Sequence, residues 1–302
     1  MTISLYASVL RLIAHNDARI PMSNGQFAHA AFLRLVSEVD PELGALLHDA
    51  NARKPFTVSP LLGGPRPREG WLHLRSGDEC WLRFTLLGSQ LFKTFTQQFV
   101  LGNTRPYLLL GNPGHEAKFD IAEVRTTNGS HEWAGSVNAD DLVEQARAER
   151  EVTLHFYTAT AFSDADKRAM LLPLPEFVFG NLAQKWLDMG LNTALDLSAW
   201  INLAALEGEV QPVQPDGSPT TELTAWRTLF AQHVAVKKLH EVNTQVMQFS
   251  RNPFPGFTGS VTFEVFGADP FCRIINLLAD CALYFGVGRK TTMGMGQCKR
   301  MG

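Results

Sequence analysis

The hydrophobic period of this chain switches between two and 3.6 in the same order twice, and few folds satisfy that pattern. Ile3, Leu5, Ala7 and Val9 alternate along a strand that runs to Ile13. "SNGQFAHAAFLRLVSEVD" then sets Ala28, Phe32, Leu35 and Val39 on one helical face, behind a Ser23/Asn24 cap. Asp40-Pro41-Glu42 opens a shorter helix that turns Leu43, Leu46 and Leu47 inward and ends near His48. After the loop "GGPRPREG", the strands "WLHLR" and "CWLRFTLL" join through Ser76-Gly77-Asp78 as a hairpin. A helix over "SQLFKTFTQQFV" and an extended stretch at "PYLLL" or "KFDIAEV" complete the set.

The acidic stretch from Asp140 to Glu151 reads as a junction, and beyond it the order returns. "VTLHFYTATAF" is a strand and "PEFVFGNLAQKWLDM" a helix. An insertion through "GEVQPVQPDGSPTTE" leads to a helix near Trp226, then to strands at "AVKKLHEVNTQVMQF" and "GFTGSVTFEVF". Asp269-Pro270 caps the helix "FCRIINLLADCALYF", and "QCKRM" is a last strand. Strand, helix, strand, strand, helix, strand is the ferredoxin-like βαββαβ unit. The expected fold is α+β, with two such domains in tandem over residues 1–140 and 141–302. Residue-level similarity between the halves is weak, so the repeat rests on element order.

The chain of 302 residues is 45% apolar and 19% charged, which is globular composition. A net charge of -3 argues against coating nucleic acid by bulk charge but leaves room for a local basic groove. Cys80, Cys272, Cys281 and Cys298 show no paired spacing and read as core thiols of a reducing compartment. No apolar run is long enough to span a membrane, and the start lacks the marks of a signal peptide, so a cytoplasmic location is expected.

The stretch "GVGRKTTMGMGQCKRMG", from Gly286 to Gly302, has five glycines, four basic residues and no acid among seventeen. A dinucleotide fingerprint or P-loop puts its glycines between a strand and a following helix, and here a helix precedes them. Lys290 also follows Arg289 rather than the glycine that a Walker lysine needs. A C-cap at Gly286 and a tight turn account for one or two glycines. Glycine-exposed amides at Gly286, Gly288, Gly294 and Gly296, flanked by Arg289 and Lys290, suit close approach of a polyanion backbone.

Other motifs fail. "HEVNT" at His240 and "HEWAG" at His131 lack the second histidine of a zinc helix, so no metal site is expected. There is no GxSxG elbow, and "GFTGSVTF" lacks the paired aromatics of the RNA-recognition strand. His29, on the flank of the first helix, and His48, closing the second, each read singly as surface histidines. On successive helices joined by a tight turn they can face one cleft, where a pair could take one proton and give another. His48-Asp49 is also similar to the HD pair of metal phosphohydrolases, but those need an all-helical core.

"GVGRKTTMGMG" resembles the C-terminal glycine-rich motif of the CRISPR-associated repeat-cleaving endoribonucleases, within the repeat-associated RNA-binding (RAMP) superfamily. "DPELGALLHDANARKPFTVSPLLG" (Asp40 to Gly63) and "TATAFSDADKRAMLLPLPEFVFGNLAQKW" (Thr158 to Trp186) resemble the same family. The resemblance implies two ferredoxin-like domains that bind CRISPR repeat RNA and cut it without metal or other cofactor. The ribose 2′-OH would attack the adjacent phosphate, leaving a 2′,3′-cyclic phosphate and a 5′-OH. It implies catalytic roles for His48 and His29, with Lys54 as the cationic partner. A tyrosine that some members carry on the first helix is replaced by Leu33, which shifts the load to the histidines. Such cleavage needs a base, an acid and cationic help for the phosphate, but no protein nucleophile. Lys237, Lys238 and Arg251 are expected to extend the RNA groove. Two other readings stay open: a non-cleaving RNA-binding subunit of a CRISPR effector complex, with its other subunits as partners, and an HD-type hydrolase.

Overall fold

A computed structural model of the chain describes residues 3–49, 54–97, 107–164, 168–197, 199, 222–249 and 252–302. The first sheet is built on β1 (Ser4–Ala14), from which α1 (Gly25–Val39) and α2 (Pro41–His48) lead to β2 (Phe56–Val58). β3 (Glu79–Leu87), α3 (Ser89–Thr96) and β4 (Ala117–Arg125) follow. The strands lie in the order β2-β3-β1-β4, all antiparallel. Short strands extend the sheet: Tyr107–Leu110 beside β4, Leu62–Gly63 beside β3 and Gly135–Asn138 beside β1.

After α4 (Ala139–Gln145), the second sheet repeats the plan. It contains β5 (Glu151–Thr160), α5 (Pro175–Asp188), α6 (Glu222–His233), β6 (Val234–Phe249), β7 (Asn252–Val265), α7 (Asp269–Phe285) and β8 (Cys298–Met301). Its order is β6-β7-β5-β8, again antiparallel. The molecule is α+β, with two tandem ferredoxin-like units. Residues 208–221 of the insertion lie outside the described residues. Among the described residues, no helix is long and apolar enough to cross a membrane.

Several local expectations fail for physical reasons. Trp71–Leu74 does not form a hairpin with β3 but pairs with Ala18–Pro21. The turn at Gly77 docks on the end of β1, donating to the Ala14 carbonyl at 2.8 Å, and so carries that strand past β1. Asn24 does not cap α1 with its side chain; its Oδ1 accepts from the Leu61 amide at 2.6 Å. Asp40 does cap α2, accepting from the Leu43 amide at 2.9 Å, but Leu46 is 60% exposed. Ala268 rather than Asp269 is the N-cap of α7, and Asp269 instead pairs with Arg150 at 2.9 Å.

The two halves share a core. Leu10, Leu12 and Ala14 of β1 pack under α1 with Phe32, Phe56 and Phe84. Leu5 and Ala7, on the opposite face of the same strand, join the larger core with Leu278, Ala282 and Phe285 of α7. α7 buries twelve of its seventeen residues and confines its charges to one stripe, Asp269, Arg273 and Asp280, while it touches β1, β3, β5 and β8.

Arg83 of β3 is 1% exposed at this junction. Its guanidinium donates to the Trp133 carbonyl at 2.9 Å, to Gln297 Oε1 at 2.7 Å and to the Leu283 carbonyl near the end of α7. Gln297 Nε2 passes the link on to the Val58 carbonyl of β2 at 3.3 Å. Burial pulls the Arg83 pKa down to about 9, still above neutrality, so the charge persists. Arg83→Met should leave three acceptors dry at about 1–3 kcal/mol each. Urea denaturation is expected to show a loss of about 3 kcal/mol or more, partly recovered by Arg83→Lys. A loss below about 1 kcal/mol would mean that water reaches these acceptors.

Candidate active site

α1 carries His29 on the flank of its apolar face, and the ring stacks on Phe56 of β2 with centroids 5.8 Å apart. The residue is half-buried, and its Nδ1 is fully buried with no partner among the described residues. Burial lowers the His29 pKa; a hydrogen bond to the Thr292 backbone opposes this, and the nearby charges of His48 and Lys54 add to the lowering. Burial therefore favours the neutral ring, the form able to accept a proton.

His48 closes α2 and is exposed. Lys54 turns back onto the same helix end, donating to the Leu47 carbonyl at 2.6 Å and to the Asp49 carbonyl. Terminal carbonyls lack intrahelical partners and carry the negative end of the dipole, so an ammonium fits there. One lysine thus fixes the backbone on either side of His48.

The glycine-rich segment leaves α7 and folds against this group. The 3-10 turn Thr291–Met293 packs on both α1 and β2. The glycines earn this position by close packing rather than by free amides. The Gly286 amide donates to Ala282, Gly288 to Asn181 Oδ1 at 2.7 Å, Arg289 to Ala161 and Gly296 to Ala159. Gly294 has φ +92°, and a Cβ there would lie 3.0 Å from Gly25 Cα and 3.2 Å from Pro60 Cδ. Gly25, at the first turn of α1, makes the reciprocal approach, since its own Cβ would strike the Met293 carbonyl. These contacts set the loop beside His29.

Arg289 and Lys290 are half-buried. The Lys290 ammonium lies 4.5 Å from the Phe254 ring centre and 5.6 Å from Phe249, at the tip of the β6–β7 hairpin. Burial first, then Arg289, lowers its pKa. A cavity of about 190 Å³ opens against Phe56 and Thr292, two residues that touch His29, and is lined also by Lys54, Lys185, Lys290, Thr57 and Thr291.

The structure does not bring Lys237 and Lys238 here. Lys237 pairs with Glu151 at 2.6 Å and Glu264 at 3.2 Å, which offsets its charge. Lys238, exposed beside it, is eleven residues before Phe249 on β6, roughly 35 Å at about 3.3 Å per residue. Arg251 lies outside the described residues. Leu33 is 3% exposed, in the core. Among the described residues, no three His, Cys, Asp or Glu side chains gather as metal ligands. Sequence reasoning missed Gly25, Asn181, Lys185 and Gln297. Asn181 and Lys185 fall in "GNLAQKW", where only their proximity to the loop reveals a role.

Two outcomes follow from this geometry. Gly294→Ala should cost about 1–3 kcal/mol in a urea melt from positive φ and crowding together, whereas Gly302→Ala, with nothing within 4 Å of a new Cβ, should be neutral. Equal effects would dissociate the glycines from packing. A histidine NMR titration should place His29 below 6.5. Between that value and 6.5 the unfolded chain takes up the proton first, so acidification through this window should destabilise the fold. A His29 midpoint above 6.5 would contradict the buried, neutral ring.

The family model described as the CRISPR Cas6 N-terminal domain matches residues 4–144, and that of the CRISPR-associated endoribonuclease Cas6 matches residues 154–298. A CRISPR-associated endoribonuclease Cas6 from Mycobacterium tuberculosis is 32% identical over 147 residues, 49% of this chain and 38% of that protein. The matched region thus spans well under half of the curated relative. A solved Cas6 product complex is 28% identical with a TM-score of 0.71, over 98% of this chain and 100% of that one. The Thermus thermophilus Cas6 is 27% identical with a TM-score of 0.67, over 100% and 99%. With both halves matched in order, this chain belongs to the CRISPR-associated endoribonuclease Cas6 family.

Proposed function

We propose that this chain binds CRISPR repeat RNA and cuts it by internal attack. The carrying observation is that His29, the carbonyl-anchored Lys54 and the glycine-rich turn at Thr291–Thr292 form one wall, with His48 close enough to depress the His29 pKa. In the reaction the 2′-OH loses its proton to one histidine and forms the O2′–P bond. The P–O5′ bond breaks, and the other histidine protonates the departing 5′ oxygen. The products are a 2′,3′-cyclic phosphate and a 5′-OH. Lys54 offsets charge that builds on the phosphoryl oxygens. The chemistry asks for no protein nucleophile and no metal, and the Cas6 product complex among the similar structures supports an RNA substrate. Arg289 and Lys290 hold the RNA backbone beside the cleft.

Purified protein should cut repeat RNA from its own CRISPR locus in EDTA, and a single 2′-deoxy at the cut site should abolish cleavage. Cleavage of the deoxy substrate at the same bond, or strict dependence on added metal, would sink the mechanism. Binding without cutting would identify a non-cleaving RNA-binding subunit instead. His48→Ala and His29→Ala should each slow single-turnover cleavage by roughly a hundredfold or more, with near-native binding. Arg289→Ala/Lys290→Ala should weaken binding across sequences and flatten its salt slope by roughly 0.7 per lost phosphate contact; an unchanged slope would remove these side chains from the interface.

A further inference from the structure

The cavity against Phe56 and Thr292 is chemically one-sided. Three lysines line it from three separate elements: Lys54 from the segment before β2, Lys185 from α5 and Lys290 from the glycine-rich loop. Thr57, Thr291 and Thr292 add hydroxyls, and among the described residues no Asp or Glu lines it. Three cations and three hydroxyls converging on one space describe an anion site. Carbonyl oxygens and ring faces position the ammonium groups. Leu47 and Asp49 hold Lys54, while Phe285 and Gly286 each accept from Lys185 at 3.0 Å. The Phe254 ring lies under Lys290. At about 190 Å³ the space is below the roughly 300–1,000 Å³ of sites that enclose a whole small molecule. It suits a phosphate and its ester oxygens better than a nucleotide with its base.

We propose that this cavity holds one backbone phosphate flanking the scissile one, and that Lys185 is a ligand of that phosphate. The inference rests on the proposed RNA-cleaving function and adds a second phosphate subsite to it. Lys185 is well placed to make the contact matter. The same ammonium grips the carbonyls where α7 hands over to the glycine-rich loop. A phosphate bound there would join α5, the loop and the Lys54 segment, bringing the wall around His29 into register with the substrate.

A cycle between protein and RNA tests this. Wild type, Lys185→Gln and Lys185→Arg are each assayed in single turnover with unmodified repeat RNA. They are then assayed with RNAs carrying one neutral methylphosphonate at each linkage flanking the cut. In wild type, one of these neutral linkages should slow cleavage roughly tenfold or more, the scale of a charge-assisted hydrogen bond. In Lys185→Gln the same linkage should cost less than about twofold more, because the contact is already gone. Lys185→Arg should restore the sensitivity. The proposal is overturned if Lys185→Gln is as sensitive as wild type to every neutral linkage, or if no flanking linkage matters to wild type. Each variant serves as its own reference, so a general stability loss cancels. The cycle is also run on filter-binding affinity. It therefore decides the phosphate contact even if the chain binds repeat RNA without cutting, which is the separate failure of the proposed function.

Discussion

A buried guanidinium whose acceptors are all neutral oxygens holds this molecule together. Taking a charge out of water is costly, and Arg83 tolerates it because carbonyl and amide oxygens from three segments converge on its donors. Two of those acceptors, Leu283 and Gln297, bracket the glycine-rich loop. Arg83 sits on a strand of the first sheet, so it fixes where that loop begins and ends relative to the opposite half. Gln297 then reaches Val58, two residues from the Phe56 ring on which His29 stacks. The chain of contacts from the buried cation to the candidate base is short and made of rigid pieces.

The cleft is thus a product of both halves. The first contributes His29, His48 and Lys54; the second contributes the loop, Lys185 and the hairpin tip that cradles Lys290. Neither half alone encloses the cavity. The glycines enter this account as spacers: at Gly25 and Gly294 two backbones meet with no room for a Cβ. Side chains of the loop are then free to face a ligand while most of its amides are spent on the protein. That division of labour differs from a phosphate-binding glycine loop, in which the amides themselves meet the anion.

Period and order in the sequence were enough to read the two ferredoxin-like units, because alternating strands and 3.6-period helices are local patterns. The caps at Asp40 and the end of α2 at His48 were legible for the same reason. The failures share one cause. Trp71–Leu74 reads as half of a hairpin, but its partner is chosen by how a distant turn docks on Ala14. Asn24 has the chemistry of a cap and spends it on Leu61, a long-range contact that no window of sequence contains. Lys185 was invisible because a lysine on an amphipathic helix ordinarily faces solvent, and only the path of α7 turns it into a cavity wall.

The two-faced burial of β1 bears on how such a chain reaches its native state. Leu5 and Ala7 are covered by α7, whose residues come more than 260 positions later, while Leu10, Leu12 and Ala14 are covered by a helix that follows at once. A ribosome therefore releases the first sheet with one face sealed and the other bare. Until Asp269–Phe285 has emerged and docked, that bare apolar face is available to any other hydrophobic surface. Contacts of such long sequence separation also slow the final docking step, because loop closure must precede the gain from packing. The cleft, which depends on the same helix, cannot exist before this step, so completion of the core and acquisition of the site are a single event in the life of the protein.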